Sequence, residues 1–220
     1  MQNTATPPVI AQLVTIVQQH LKDAEGGHDW FHIERVWNSS MQINKLEGGD
    51  PFIVAAAALL HDIADSKFHN GDESIGPKTA RKILEGLEVN GDAINHVVAI
   101  IENISFKGGK RKRTFTSLEL DIVQDADRLD SIGAIGVARA FNYGGFKNRG
   151  LYDPAVPPNL NMSAEEYKKS SAPTINHFYE KLLLLKDLMN TPTGRKMAEE
   201  RHQFMEAYLE QFYAEWDGKK

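Results

Sequence analysis

The sequence contains no cysteine, which removes disulfides, cysteine nucleophiles and thiolate metal sites together; any bound metal must be held by imidazole and carboxylate. It also lacks a basic N-terminal segment leading into an apolar stretch, and it has no run of about 18 apolar residues. The expectation is a cytoplasmic protein with no membrane partner. An excess of positive charge is missing too: 25 basic against 30 acidic side chains give a formal net charge of −5, which speaks against nucleic acid as a partner. Period-2 alternation is nearly absent, so a sheet of any size is not expected. No repeat of fixed period occurs, and no stretch has the length and composition of a linker.

What is present is helical punctuation. Three capping residues are each followed by proline at the first helical position, Thr6-Pro7, Asp50-Pro51 and Thr191-Pro192, a start signal because proline lacks the N–H that a first turn leaves unused. After Pro7, apolar residues from Val9 to Leu21 recur on one face; after Pro192, Met197, Met205, Leu209, Phe212, Tyr213 and Trp216 do the same. The segment Phe52 to Ile63 is apolar nearly all round, as befits a helix in the middle of a bundle. Further helices are expected from Trp30 to about Lys45, Pro77 to Leu87, Asp92 to Ile104, Leu118 to Phe141 and Pro173 to Met189. Two segments read as irregular: the glycine-broken basic run 106–113, and 143–161 with its glycines, prolines and asparagines. The fold class is all-α, a single-domain helical bundle over 1–220 with little or no sheet. Its metal-binding core spans about 26–142, with C-terminal helices over 163–217 packing on it.

Polar residues stand out against this apolar frame. His61 and Asp62 end the most apolar helix, where an uncompensated charge would cost several kcal/mol, so each requires a partner. One reading is a satisfied core histidine beside a capping or arginine-paired aspartate. The other is a metal site, supported by His32 early in the helix after Gly26-Gly27 and by Asp125, Asp127 and Asp130 between the apolar flanks Ile122-Val123 and Ile132. Carboxylates spaced this way on a core-facing helix either pair with arginine or bind metal, and imidazole with carboxylate suits a divalent ion.

The order His32 (in His-x-x-Arg-Val), His61-Asp62 (after Ala-Leu-Leu) and Asp127 (in Ala-Asp-Arg-Leu) resembles the signature of the HD-domain superfamily of metal-dependent phosphohydrolases. The likeness is greatest to small stand-alone bacterial HD hydrolases, some acting on nucleoside triphosphates. It is carried by Gly27-His28-Asp29-Trp30-x-His32, His61-Asp62-x-x-Asp65-x-Lys67, Ile104-Ser105-Phe106-Lys107 and 124–133, and it extends to Arg201-His202. It implies a helical bundle, in agreement with the periodicity, and four metal ligands: His32, His61, Asp62 and Asp127. Binuclear relatives add two histidines between His-Asp and the last Asp. Here that interval holds His69 and His96, neither beside another histidine, and His96 sits in an amphipathic helix as a core or edge residue. One divalent ion is therefore expected, from Mn, Fe, Co, Ni, Zn or Mg.

On this reading the ion activates water for attack on phosphorus. Asp65, one helical turn beyond Asp62, is the candidate general base or water-orienting group, with a plain helix-end polar residue as its alternative. Phosphate charge calls for cations: Lys67 and Lys107 are assigned to substrate, and Lys67 also counts among the catalytic candidates. Arg35 and Arg128 are divided between substrate and holding ligand carboxylates. His28 is a further substrate-side candidate, and Asp29 is expected to cap the helix carrying His32. The expected reaction is hydrolysis of a phosphate ester or anhydride of a nucleotide, a di- or triphosphate before a monophosphate. The rivals are a phosphodiesterase or alarmone hydrolase of the same superfamily, a metal-binding nucleotide sensor without turnover, and a nuclease, which the −5 balance opposes.

Overall fold

The computed structural model describes residues 8–22, 29–64, 72, 74–104 and 114–220, and among them there is no strand. In chain order the helices are α1 (Pro8–His20), α2 (Trp30–Glu47), α3 (Pro51–Leu60), α4 (Ile75–Gly86), α5 (Gly91–Ile104), α6 (Leu118–Asp130), α7 (Gly133–Phe146), α8 (Ala164–Lys169), α9 (Thr174–Glu180), a 3-10 segment (Leu182–Leu188) and α10 (Pro192–Trp216). The all-α expectation holds. No helix among the described residues is long and apolar enough to cross a membrane.

Two of the three proline start signals act as read. Asp50 accepts the amides of Phe52 and Ile53 at 2.8 and 3.2 Å, and Thr191 Oγ1 accepts that of Gly194 at 2.9 Å. Each satisfies first-turn donors that would otherwise lack intrahelical partners. Thr6 and Pro7 lie outside the described residues.

Three expected boundaries shift, each for a physical reason. The expected helix from Leu118 to Phe141 is two helices, because Ile132 is extended and Gly133 takes φ +73°, a conformation that costs glycine little. Apolar spacing on both sides of the break hides it. The helix after the break runs on to Phe146, through the glycines that suggested a loop. Gly144 is there for close approach: a Cβ on it would lie 2.2 Å from Thr174 Oγ1. Between Thr174 and Met189 the α-helix stops at Lys181 and a 3-10 segment follows. The three-residue step that brings Leu182 and Leu185 to one buried side serves either helix type, so spacing could not separate them.

The chain's contacts divide into two compact units, 1–126 and 127–220, with the boundary inside the unbroken helix α6. In the first unit α3 packs against α1, α2 and α5. Ala55 to Leu60 are all buried, and the four alanines let the neighbouring helices come close on every side. The start of α6 is tied into the same unit at two points. Glu119 Oε1 accepts the Asp50 amide at 3.0 Å, and the Gln124 side chain donates to the Ile104 carbonyl at 2.9 Å.

In the second unit α10 packs against α7 and the 3-10 segment, and α9 against α7 and the 3-10 segment. Aromatic rings pack against one another in it, from the buried Phe178 to the exposed Trp216. Phe178 stacks on Tyr208 with centroids 6.0 Å apart, and Tyr152 presents its edge or face to Phe212, Tyr213 and Trp216 at 6.1, 5.3 and 5.1 Å.

Candidate metal centre

Asp29 precedes α2 and accepts the His32 amide at 3.0 Å, the cap expected of it. This places His32 on the first turn of α2, buried to 2% exposure. His61 follows immediately on the dry helix α3. A helix enclosed on all sides delivers its last residue into the interior, and His61 is buried as well.

The His61 ring is oriented by its own helix: Nδ1 lies 2.8 Å from the Ala58 carbonyl. A carbonyl only accepts, so Nδ1 carries the proton, and in the neutral ring Nε2 presents a lone pair. That lone pair faces His32, with the two Nε2 atoms 3.3 Å apart and the rings edge to face at 66°. Two imidazole nitrogens this close require one shared proton or one cation between them. The Asp62 carboxylate stands at 3.7 Å from His32 Nε2 and 3.9 Å from His61 Nε2.

Asp127 completes the arrangement. It lies on α6, one residue past the boundary of the first unit, on a helix already tied to Asp50 and Ile104. His32, His61 and Asp127 each offer a ligand atom, all within 4.8 Å of one another. Two atoms bound at ~2.1 Å to one ion in tetrahedral or octahedral geometry lie about 3.0–3.4 Å apart, which the imidazole pair matches. An imidazole whose distal nitrogen donates to a backbone carbonyl is the usual supporting arrangement for a metal-binding histidine. The donor set therefore fits a divalent ion.

Of the three α6 carboxylates at 125, 127 and 130, two take the two roles considered for them. Asp127 joins the imidazoles. Asp130, buried to 3% exposure, is ion-paired with Arg139. Asp125 is wholly buried. Among the arginines, Arg128 donates through Nη1 to the Leu188 carbonyl, and Arg35 is half-buried on α2. His96, the edge histidine of α5, lies 3.0 Å from Ser117 Oγ and 3.4 Å from Glu119. His28, Asp65, Lys67 and Lys107 lie outside the described residues. Spacing gave no sign of Arg139 or of the Leu188 carbonyl that holds Arg128, because such partners depend on where the chain returns.

Comparison with known proteins gives the family. The HD domain family profile matches residues 30–132. The Bacillus subtilis protein YpgQ, itself described as uncharacterized, is 40% identical over 202 residues, covering 91% of this chain and 90% of YpgQ. A crystal structure of an HD-superfamily hydrolase from Bacillus thuringiensis is similar with a TM-score of 0.77 and 44% identity, over 94% of this chain and 96% of that one. The structure of YpgQ in complex with ADP is similar with a TM-score of 0.73 and 35% identity, over 94% and 97% of the two chains. This chain belongs to the HD superfamily and is a hydrolase in kind.

Proposed function

We propose that this protein is a phosphohydrolase that depends on one divalent ion and cleaves a phosphoanhydride of a nucleotide, with di- and triphosphates preferred over monophosphates. The observation that carries the reading is the convergence of His32, His61 and Asp127, with the His61 lone pair aimed inward by the Ala58 carbonyl. The ligand set is His32, His61, Asp62 and Asp127. YpgQ with ADP bound supports a nucleotide as the ligand here as well.

When bound, the ion supplies positive charge for a phosphoryl oxygen and makes a water more acidic. The rest falls to the chain. Asp65 accepts a proton from the attacking water or orients it; an oxygen–phosphorus bond forms, the bridging P–O bond breaks, and the leaving phosphate takes the electron pair. Lys67 and Lys107 hold the phosphates remote from the reacting one, and His28 and Arg35 are the further substrate-side candidates. Arg128 has one N–H already committed to Leu188, and this favours the supporting role over substrate contact.

A phosphate-release screen over nucleoside mono-, di- and triphosphates, with several divalent metals and a chelated control, tests the proposal. Release from triphosphates that vanishes on chelation is expected. Faster turnover of monophosphates, or none with any metal, would overturn it. Asp65→Ala should keep the metal yet lose ~10²–10⁴ in rate. Lys107→Ala should raise KM for a triphosphate far more than for a small phosphate ester.

A further inference from the structure

We infer that Arg201, on α10, is a positioning residue for the metal ligand Asp127, acting through the last turn of α6. The inference rests on the reading of Asp127 as a ligand. Arg201 Nη1 donates to the Leu129 carbonyl, two residues beyond Asp127 and in the turn where a helix leaves its carbonyls without intrahelical donors. That carbonyl also accepts the Ile132 amide at 3.2 Å, so it is bound from both the turn and α10. A cation at a helix C-terminus is favourable in itself, since the aligned peptide dipoles leave partial negative charge there.

The turn is shaped around this side chain. Gly133 has φ +73°, and a Cβ on it would stand 2.9 Å from Cγ and 3.0 Å from Cβ of Arg201. Glycine thus meets two needs at once, the left-handed backbone that ends α6 and room for the arginine. Arg201 is half-buried, and the Asp130 carboxylate nearby counters the effect of that burial on its charge. Asp130 is itself paired with Arg139, so the segment 127–133 is bound by guanidinium groups from α7 and α10. A carboxylate displaced by a fraction of an ångström binds a cation less well, and groups that support metal ligands in this way are typically worth about 10–100-fold in affinity.

Arg195 provides the control. It lies on the same helix and makes the same kind of bond, to the carbonyls of Met189 at 3.1 Å and Asn190 at 3.3 Å, neither of which belongs to α6. Both arginines would be replaced by methionine, with Mn²⁺ affinity read by calorimetry on metal-free protein and Tm read separately without metal. Arg201→Met should weaken Mn²⁺ binding about tenfold or more, while Arg195→Met lowers Tm and leaves the affinity unchanged. Arg201→Lys, which restores a single donor, should recover part of the loss. Equal affinities for the two methionine variants would overturn the inference and reduce Arg201 to a stabilising contact. If Arg201→Met does not fold, Arg201→Lys decides: a reduced affinity supports positioning, and wild-type affinity defeats it. Asp127→Asn separates the two layers. Retention of metal by that variant overturns the ligand reading, and the inference with it. Loss of metal in Asp127→Asn with full binding in Arg201→Met overturns positioning alone.

Discussion

Of the helix ends that bring ligands to the centre, those of α3 and α6 are held in different ways. At the end of α3 the support is local and apolar. The four alanines and two leucines of the helix are all buried, and the bond that orients the ring, from His61 Nδ1 to the Ala58 carbonyl, is made three residues back in the same helix. At the end of α6 the support is distant and charged: Arg139 on the Asp130 carboxylate, Arg201 on the Leu129 carbonyl, and Arg128 itself reaching Leu188. The difference follows from the ligands. A neutral imidazole is cheap to bury and needs one acceptor to set its ring. A turn rich in carboxylates must meet its charge with cations, and only other helices can supply them.

The most severe test removes the ligand at the local end. His61→Ala should take bound metal from close to one equivalent to none by elemental analysis, and activity with it. Metal content preserved in that variant would break the comparison at its root.

The charged end should reveal itself in stability. Asp130→Ala leaves Arg139 without its carboxylate partner. With Asp130 buried and Arg139 partly exposed, the expected loss is about 3 kcal/mol, near the low end for breaking a buried pair. Denaturant unfolding measures it, and a loss under about 1 kcal/mol, the surface-pair range, would mean that solvent already screens the pair.

A third test compares two histidines in the chain. His177 lies 2.5 Å from the Tyr167 hydroxyl, and burial, with Lys181 and Arg149 adding to it, lowers its pKa to about 3. The folded state therefore refuses a proton that the unfolded chain accepts near pH 6.5. Between that value and about 3 the unfolded state binds more protons, so stability falls as pH falls. His177→Asn should flatten this part of the Tm–pH profile. A profile with the same acid slope in both proteins would contradict the assignment.

The smallest expected effect concerns the caps. Asp50→Ala and Thr191→Ala should each cost about 1 kcal/mol. Asp50→Ala should leave metal affinity unchanged, since the Asp50 amide that Glu119 accepts belongs to the backbone and survives the change. Reduced metal binding in that variant would show that the α3 start, and not its dry packing, sets the position of His61.

Much of this was legible beforehand, and the legible part is local. Helix starts at Asp29, Asp50 and Thr191 were readable because a cap is a matter of neighbouring residues. The burial of α3 was readable because it is apolar on all faces. The His32, His61-Asp62 and Asp127 pattern pointed to a shared site, and the structure draws His32, His61 and Asp127 into one group. Less was readable where two conformations satisfy the same spacing, as at Ile132-Gly133 and at Lys181, or where a glycine serves close packing, as Gly144 does against Thr174.

By itself the sequence determined the all-α class, the absence of thiolate ligands and the residue types of the centre, since these depend on composition, periodicity and near neighbours. The motif already pointed to Asp127 among the α6 carboxylates; only the tertiary structure decided that Asp130 meets an arginine. It alone decided the tautomer of His61 and the partners of Arg128, Arg139 and Arg201. The reason is physical: a buried charge is neutralised by whatever the fold brings within about 4 Å, and spacing along a chain does not record distance between segments 60 or 72 residues apart.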